Sequence, residues 1–293
     1  VMEKRAIYKV QKNARGRRKS SLIKIFYCVS QGNRLHYSYM DTTPKPTYAG
    51  IDLDPINNRF SLVCIDKDRN FLTSGEFSPG NYESINETRP TVFAINGPAA
   101  ANSGLMNDPA YRLSLNPPVK KGWFNLRVAE YLLLQKKYPS HRTPNDPQKC
   151  PGWMRHYFDL YRYLKLNTEK NPGTGEPHKI IEIHASSAFS ILLGNPLYRA
   201  DNLEGRLQRQ LLLYEINLPV ADPMEFFEEI TRSRLIKGSL PMDKPLNIHK
   251  LNAVLGAFLA YLYANKPDLL EAIGDVHEGQ IFVPIKNGIE NYL

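Results

Sequence analysis

Four short segments place a polar residue where an apolar run ends: Gly50-Ile51-Asp52-Leu53-Asp54, Ala94-Ile95-Asn96-Gly97, Ile181-Glu182-Ile183-His184 and His249-Lys250-Leu251-Asn252-Ala253. A buried carboxylate costs several kcal/mol unless it is paired or binds a metal. Polar residues at the ends of neighbouring apolar elements are therefore expected to converge on one site. Asp52, Asn96, Glu182 and Asn252 are the candidate catalytic and metal-binding set. His249 and His184 titrate near neutrality, so both are candidates for proton transfer. His249 and Asn252 are three residues apart and share a helical face. They sit in a first turn, where the helix dipole suits a phosphate as well as a cap. Asp54, before Pro55, is read as a turn residue. Two of the four key positions are Asn. A metal-dependent hydrolase would want Asp there, since carboxylates hold the cation, and Asn keeps a carbonyl oxygen but no charge.

The elements that must carry these residues follow from hydrophobic period and turn residues. Residues 48–53, 59–66 and 71–77 read as strands joined by short turns rich in Asp and Asn, which implies an antiparallel meander. Residues 91–95 and 179–184 read as two further, strongly apolar strands. Between them, 125–137 and 153–166 look helical, within an insertion spanning about 100–175. Residues 203–215 read as a helix. A second runs from an Asp222 cap, with Pro223 at its first position, to Gly238. Residues 249–265 form the clearest helix. It carries no charge from Ala253 to Ala264, so it is buried on all sides, and Ala253, Gly256 and Ala260 would permit close packing. This order predicts an α/β domain with a mixed sheet. If the 91–95 strand lies beside and parallel to 48–53, Asp52 and Asn96 become neighbours at the strand ends.

The net charge of +9 is unevenly placed. Residues 1–39 hold ten Lys/Arg and one acid, Glu3, while residues 40–293 hold 28 basic and 28 acidic side chains. Residues 1–45 are therefore expected to be a basic, disordered tail, or an extension upstream of a start at Met40, and 46–293 the folded domain. The body has no global nucleic-acid charge signature. Residues 101–166, however, carry eleven Lys/Arg against four acids, a possible local basic surface. Arg112, Lys120, Lys121, Arg127, Arg142 and Arg155 could line a phosphate path, with Trp123, Phe124 and Trp153 as stacking surfaces. A solvated insertion with core aromatics explains them equally well. Cys28, Cys64 and Cys150 have no paired spacing, which fits a reducing cytoplasm. No run reaches transmembrane length, and no membrane partner is expected.

The four opening segments, with Glu204-Gly205-Arg206-Leu207-Gln208-Arg209 and Gly274-Asp275-Val276-His277-Glu278-Gly279-Gln280-Ile281, occur in an order that resembles domain-of-unknown-function family 429. These are predicted nucleases of the ribonuclease-H-like fold. The resemblance covers about residues 47–286. It implies a mixed sheet of a three-strand meander followed by parallel strands, flanked by helices. It also implies Mg²⁺ or Mn²⁺ as cofactor, nucleic acid as substrate, and Arg206 and Arg209 as phosphate contacts or ion-pair partners. The family pattern has acids at positions 96 and 252, where this chain has Asn. The expectation is therefore a metal-dependent nuclease centre, inactive in this form unless Asp54 or Glu182 substitutes. The alternative is a non-catalytic protein that keeps the fold and binds a nucleotide or nucleic acid.

Overall fold

The computed structural model describes residues 26–31, 34–39, 46–83, 85, 90–115, 119, 122–167, 178–242, 244–286 and 289–292. The chain divides into two compact units, Val1–Lys45 and Pro46–Leu293. In the first, β1 (Phe26–Gln31) and β2 (Arg34–Tyr39) pair antiparallel as a hairpin. The sequence shows no clear hydrophobic period there that would announce this pairing.

The second unit is an α/β domain built on a seven-stranded mixed sheet. Its strands are β3 (Thr47–Asp54), β4 (Arg59–Asp66), β5 (Phe71–Phe77), β6 (Val92–Ile95), β7 (Lys179–Ile183), β8 (Leu270–Asp275) and β9 (Gly279–Pro284), in the order β5-β4-β3-β6-β7-β9-β8. The meander β3–β4–β5 is antiparallel, as its short turns require. Strand β6 lies parallel to β3, and β7 parallel to β6, so the carboxyl ends of three strands open on one edge. The β8–β9 hairpin, which carries the Gly274–Ile281 motif, adds two strands beside β7.

Helices cover both faces. They are α1 (Pro109–Ser114), α2 (Val128–Gln135), α3 (Gly152–Asn167), α4 (Ala185–Leu193), α5 (Leu203–Glu215), α6 (Glu225–Lys237) and α7 (Ile248–Asn265). On one face, α7 packs with α4 and α5 over Tyr48, Ala94, Ile181 and Ile183. On the other, Tyr157, Leu160, Tyr161 and Leu164 of α3 pack over Ile51, Phe93 and Ile95. All of residues 251–260 are buried, as the charge-free stretch predicts. Helix α4 has little periodic signal in the sequence, because its first turn is made of the small residues Ala185, Ser186, Ser187 and Ala188. Helix α6 starts later than expected. Asp222 and Pro223 occupy a preceding turn, where Asp222 Oδ1 accepts from the Met224 N–H at 2.9 Å, and Met224 takes the cap.

Helix α7 lies unusually close to the central strand. A Cβ at Gly50 of β3 would sit 1.9 Å from the Ala253 carbonyl oxygen, and one at Gly256 would be 3.0 Å from the Gly50 Cα. Two glycines therefore let backbone touch backbone. This contact sets the height of the first turn of α7 over the end of β3.

Candidate functional site

Asp52 is the centre of the site. It is 2% exposed, at the carboxyl end of β3, facing α7. Both its oxygens are occupied by donors from this chain. Oδ1 accepts from Asn96 Nδ2 at 2.6 Å and from the Tyr157 hydroxyl at 3.2 Å. Oδ2 accepts from His249 Nδ1 at 2.8 Å and from Asn252 Nδ2 at 3.0 Å. Four donors on one buried carboxylate offset its desolvation without a metal.

Each donor is fixed by its own element. Asn96 follows β6, and its Oδ1 accepts from the Ala185 N–H at 2.7 Å, which turns the amide nitrogen toward Asp52. Tyr157 reaches over from α3. Its ring lies against Gly97, where a Cβ would be 2.5 Å from ring carbons, and its oxygen accepts from the Leu53 N–H at 2.8 Å. Burial and the Asp52 charge push the Tyr157 pKa up, so it remains a donor. Asn252 and His249 share the face of α7 that meets β3, and Asn247 caps that helix through its side chain. Burial alone would lower the His249 pKa. The hydrogen bond to Asp52 and the Asp52, Asp54 and Glu76 carboxylates raise it instead. Tyr157 has no signal in the local sequence: its partner lies 105 positions away.

Asp54 acts in its turn. It accepts from the Ile56 N–H at 2.9 Å, the Asn57 N–H at 3.1 Å and Asn57 Nδ2 at 2.7 Å. Partial burial would raise its pKa, but these bonds and His249 hold it below the usual carboxylate range.

Glu182 is a correction. It pairs with Ile95 in register, and Ile95 with Ile51, so the side chains of all three point to the α3 face, opposite Asp52. There Glu182 Oε2 accepts from Arg127 Nη1 and from the Ala99 N–H, each at 3.0 Å, and Oε1 accepts from Arg127 Nη2. Arg127 is 1% exposed and also pairs with buried Glu130. Burial would lower the Arg127 pKa, but the two carboxylates raise it. Glu130, which accepts from the Thr143 N–H, is pushed up by burial. Arg127 is therefore an internal counter-ion and not part of a phosphate path.

The remaining arginines divide similarly. Arg112 donates through Nη1 to the Met106 and Asn107 carbonyls at 2.7 and 2.9 Å and stacks on Phe124 at 4.0 Å, so it braces its own loop. Arg209 is buried, and Arg206 is half-buried beside it on α5; neither pairs with Glu182. Arg142 and Arg155 are exposed. A ring series lies beside the site: Trp153 is 6.1 Å from Tyr157, and His141 is 5.3 Å from Trp153 and 4.5 Å from His184. His184 caps α4 by accepting from the Ser187 N–H at 3.2 Å. Burial and nearby Arg127 lower its pKa to about 4, so it is neutral and structural near pH 7. Lys120 and Lys121 lie outside the described residues.

The final motif ties the insertion to the sheet. Glu278 accepts from the Val128 N–H at 2.6 Å and from Ser103 Oγ at 2.8 Å, and Asp275 accepts from the Tyr111 hydroxyl at 2.8 Å.

No family model, curated protein or solved structure matches the chain. Its chemistry is therefore judged from the donor set. Among the described residues, no group of three or more His, Cys, Asp or Glu could hold a metal ion. The candidate set contributes one carboxylate at the α7 face, with both oxygens already accepting. The Asn96 oxygen is committed to Ala185, and Glu182 is committed to Arg127 on the other face. These residues do not fit Mg²⁺ or Mn²⁺.

Proposed function

We propose that this protein is a ribonuclease-H-like relative of the metal-dependent nucleases that binds nucleic acid or nucleotide without hydrolysing it. Saturation of Asp52 by Asn96, Asn252, His249 and Tyr157 carries this reading. Uncharged amides and an imidazole take the places around the carboxylate where cation-holding acids are expected. The strand order, with an antiparallel meander beside parallel strands, supports the fold assignment. Half-buried Trp153 and exposed Arg142 and Arg155 support nucleic acid as the partner. They offer a ring and two guanidinium groups that pair with no carboxylate among the described residues. The buried thiols of Cys64 and Cys150 fit a reducing compartment such as the cytoplasm.

The test uses labelled single-stranded DNA and RNA with Mn²⁺ present. This chain is expected to retard both and to leave them uncut. Trp153→Ala and Arg142→Ala should each weaken retention severalfold. Mn²⁺-dependent cleavage by this chain would overturn the reading, and so would the absence of any retention.

A further inference from the structure

Every buried or partly buried guanidinium in a protein needs an account of its charge, and this chain gives two different ones. Arg127 is enclosed by two carboxylates. Arg209 is 3% exposed, yet among the described residues it pairs with none. Its Nη1 donates to the Tyr198 and Gly205 carbonyls at 3.1 and 2.8 Å, and its guanidinium carbon lies 5.7 Å from the Phe189 ring centre. Its Nε is buried and has no partner. Arg206, three residues earlier and adjacent on the same helix face, also has a buried Nε without a partner and pairs with no described carboxylate. Two neighbouring cations with unfilled donors are costly unless an anion completes them.

The surroundings are built to hold this arrangement. The chain between α4 and α5 presses onto the start of α5. A Cβ at Gly205 would lie 1.8 Å from the Arg199 carbonyl oxygen and 3.2 Å from Arg209 Nη1, so only glycine admits both. The Tyr198 N–H donates to Gln208 Oε1 at 2.9 Å, a second tie between that chain and the helix. The Tyr198 ring is 62% exposed. Burial pushes the Arg209 pKa down, the direction expected of a cation without a counter-ion.

We propose that Arg206 and Arg209, beneath the 194–202 segment, form a binding site for a phosphate group. Two guanidinium forks present more N–H donors than one carboxylate can accept, and they match the charge and the three free oxygens of a phosphate monoester. The site is separate from Asp52 and does not depend on the function proposed for it.

The experiment measures the thermal midpoint and calorimetric binding with three probes: inorganic phosphate, a mononucleoside 5′-monophosphate and a short oligonucleotide. Chloride replaces phosphate at equal ionic strength as control. Inorganic phosphate is expected to raise the midpoint by a few degrees, with the mononucleotide tighter if its base rests on Tyr198. Arg206→Gln and Arg209→Lys should each weaken phosphate binding at least tenfold. Arg206→Gln should fold normally, because the native side chain makes no hydrogen bond within the described chain. Oligonucleotide retention that survives both substitutions would place the nucleic-acid surface elsewhere and leave this site to small phosphates. A midpoint equal in phosphate and chloride, or unchanged phosphate affinity in Arg206→Gln, would overturn the proposal.

Discussion

At the scale of single residues, the two asparagines decide the character of the site. An aspartate at position 96 would keep one oxygen on the Ala185 N–H and bring the other against Asp52 Oδ1, where the amide now donates at 2.6 Å. Two carboxylates in such contact repel, and one of them resists ionisation. The Asn96→Asp/Asn252→Asp protein is therefore expected to be less stable in EDTA at pH 8, by roughly 1–4 kcal/mol. Excess Mn²⁺ should reverse the loss, because a ligand of the folded state stabilises it. The unaltered chain should melt at one temperature in EDTA and in Mn²⁺. A Mn²⁺-induced rise in its own midpoint would contradict the donor-set argument. The two histidines predict opposite pH effects. Unfolded histidine titrates near ~6.5, and His184 in the fold near about 4. The contribution of His184 is thus whole above ~6.5 and falls as pH drops toward about 4, by about 1.4 kcal/mol per pH unit at most. The His249 pKa is raised, so its contribution is present below ~6.5 and fades as pH rises through the folded value. In urea titrations, His184→Asn should reduce the acid loss and His249→Gln the alkaline loss. Unchanged slopes in both variants would sink this assignment.

At the scale of elements, the close approach of α7 to β3 positions half the site. Asn252 and His249 meet Asp52 because Gly50 and Gly256 let the helix descend onto the strand. Gly50→Ala should push the helix outward, costing roughly 3 kcal/mol or more, in the range of overpacked cores. It should also release His249, whose NMR-measured pKa should fall as the Asp52 bond is lost. Gly75→Ala is the control: a Cβ there meets nothing within 4 Å, and the change should be neutral or stabilising by about 0.5–1 kcal/mol. Equal stability of the two variants would remove the glycine contact from the account.

At the scale of the whole molecule, the charge and the fold are partitioned between two units. Residues 1–39 carry the entire net charge, while the rest is balanced. The sheet and its helices are complete within Pro46–Leu293. Removing residues 1–39 is therefore expected to leave the thermal midpoint unchanged within about 2 °C, a shift small against the several degrees that ~1 kcal/mol produces. It should lower the salt dependence of nucleic-acid binding, since fewer cations release counterions. A midpoint lowered by more than a few degrees would show that the first unit contributes to the stability of the second.

Some of this was written in the sequence. Strong local periods gave β4, β5, α5 and the buried course of α7, and short Asp- and Asn-rich turns gave the meander. The ends of apolar runs marked Asp52, Asn96 and Asn252. Local signals of this kind survive folding because each element must hide its own apolar face. What the sequence could not supply was orientation across the sheet. Glu182 ends an apolar strand as Asp52 does, yet strand register turns the two to opposite faces, and a single position of register decides which. The Tyr157–Asp52 and Arg127–Glu182 contacts are likewise silent locally, because the partners lie 105 and 55 positions apart. The sequence by itself marked polar residues at the ends of buried elements, Asp52 and Asn96 among them. Only the tertiary structure decided which of them would satisfy one another, since hydrogen bonds and ion pairs form between neighbours in space.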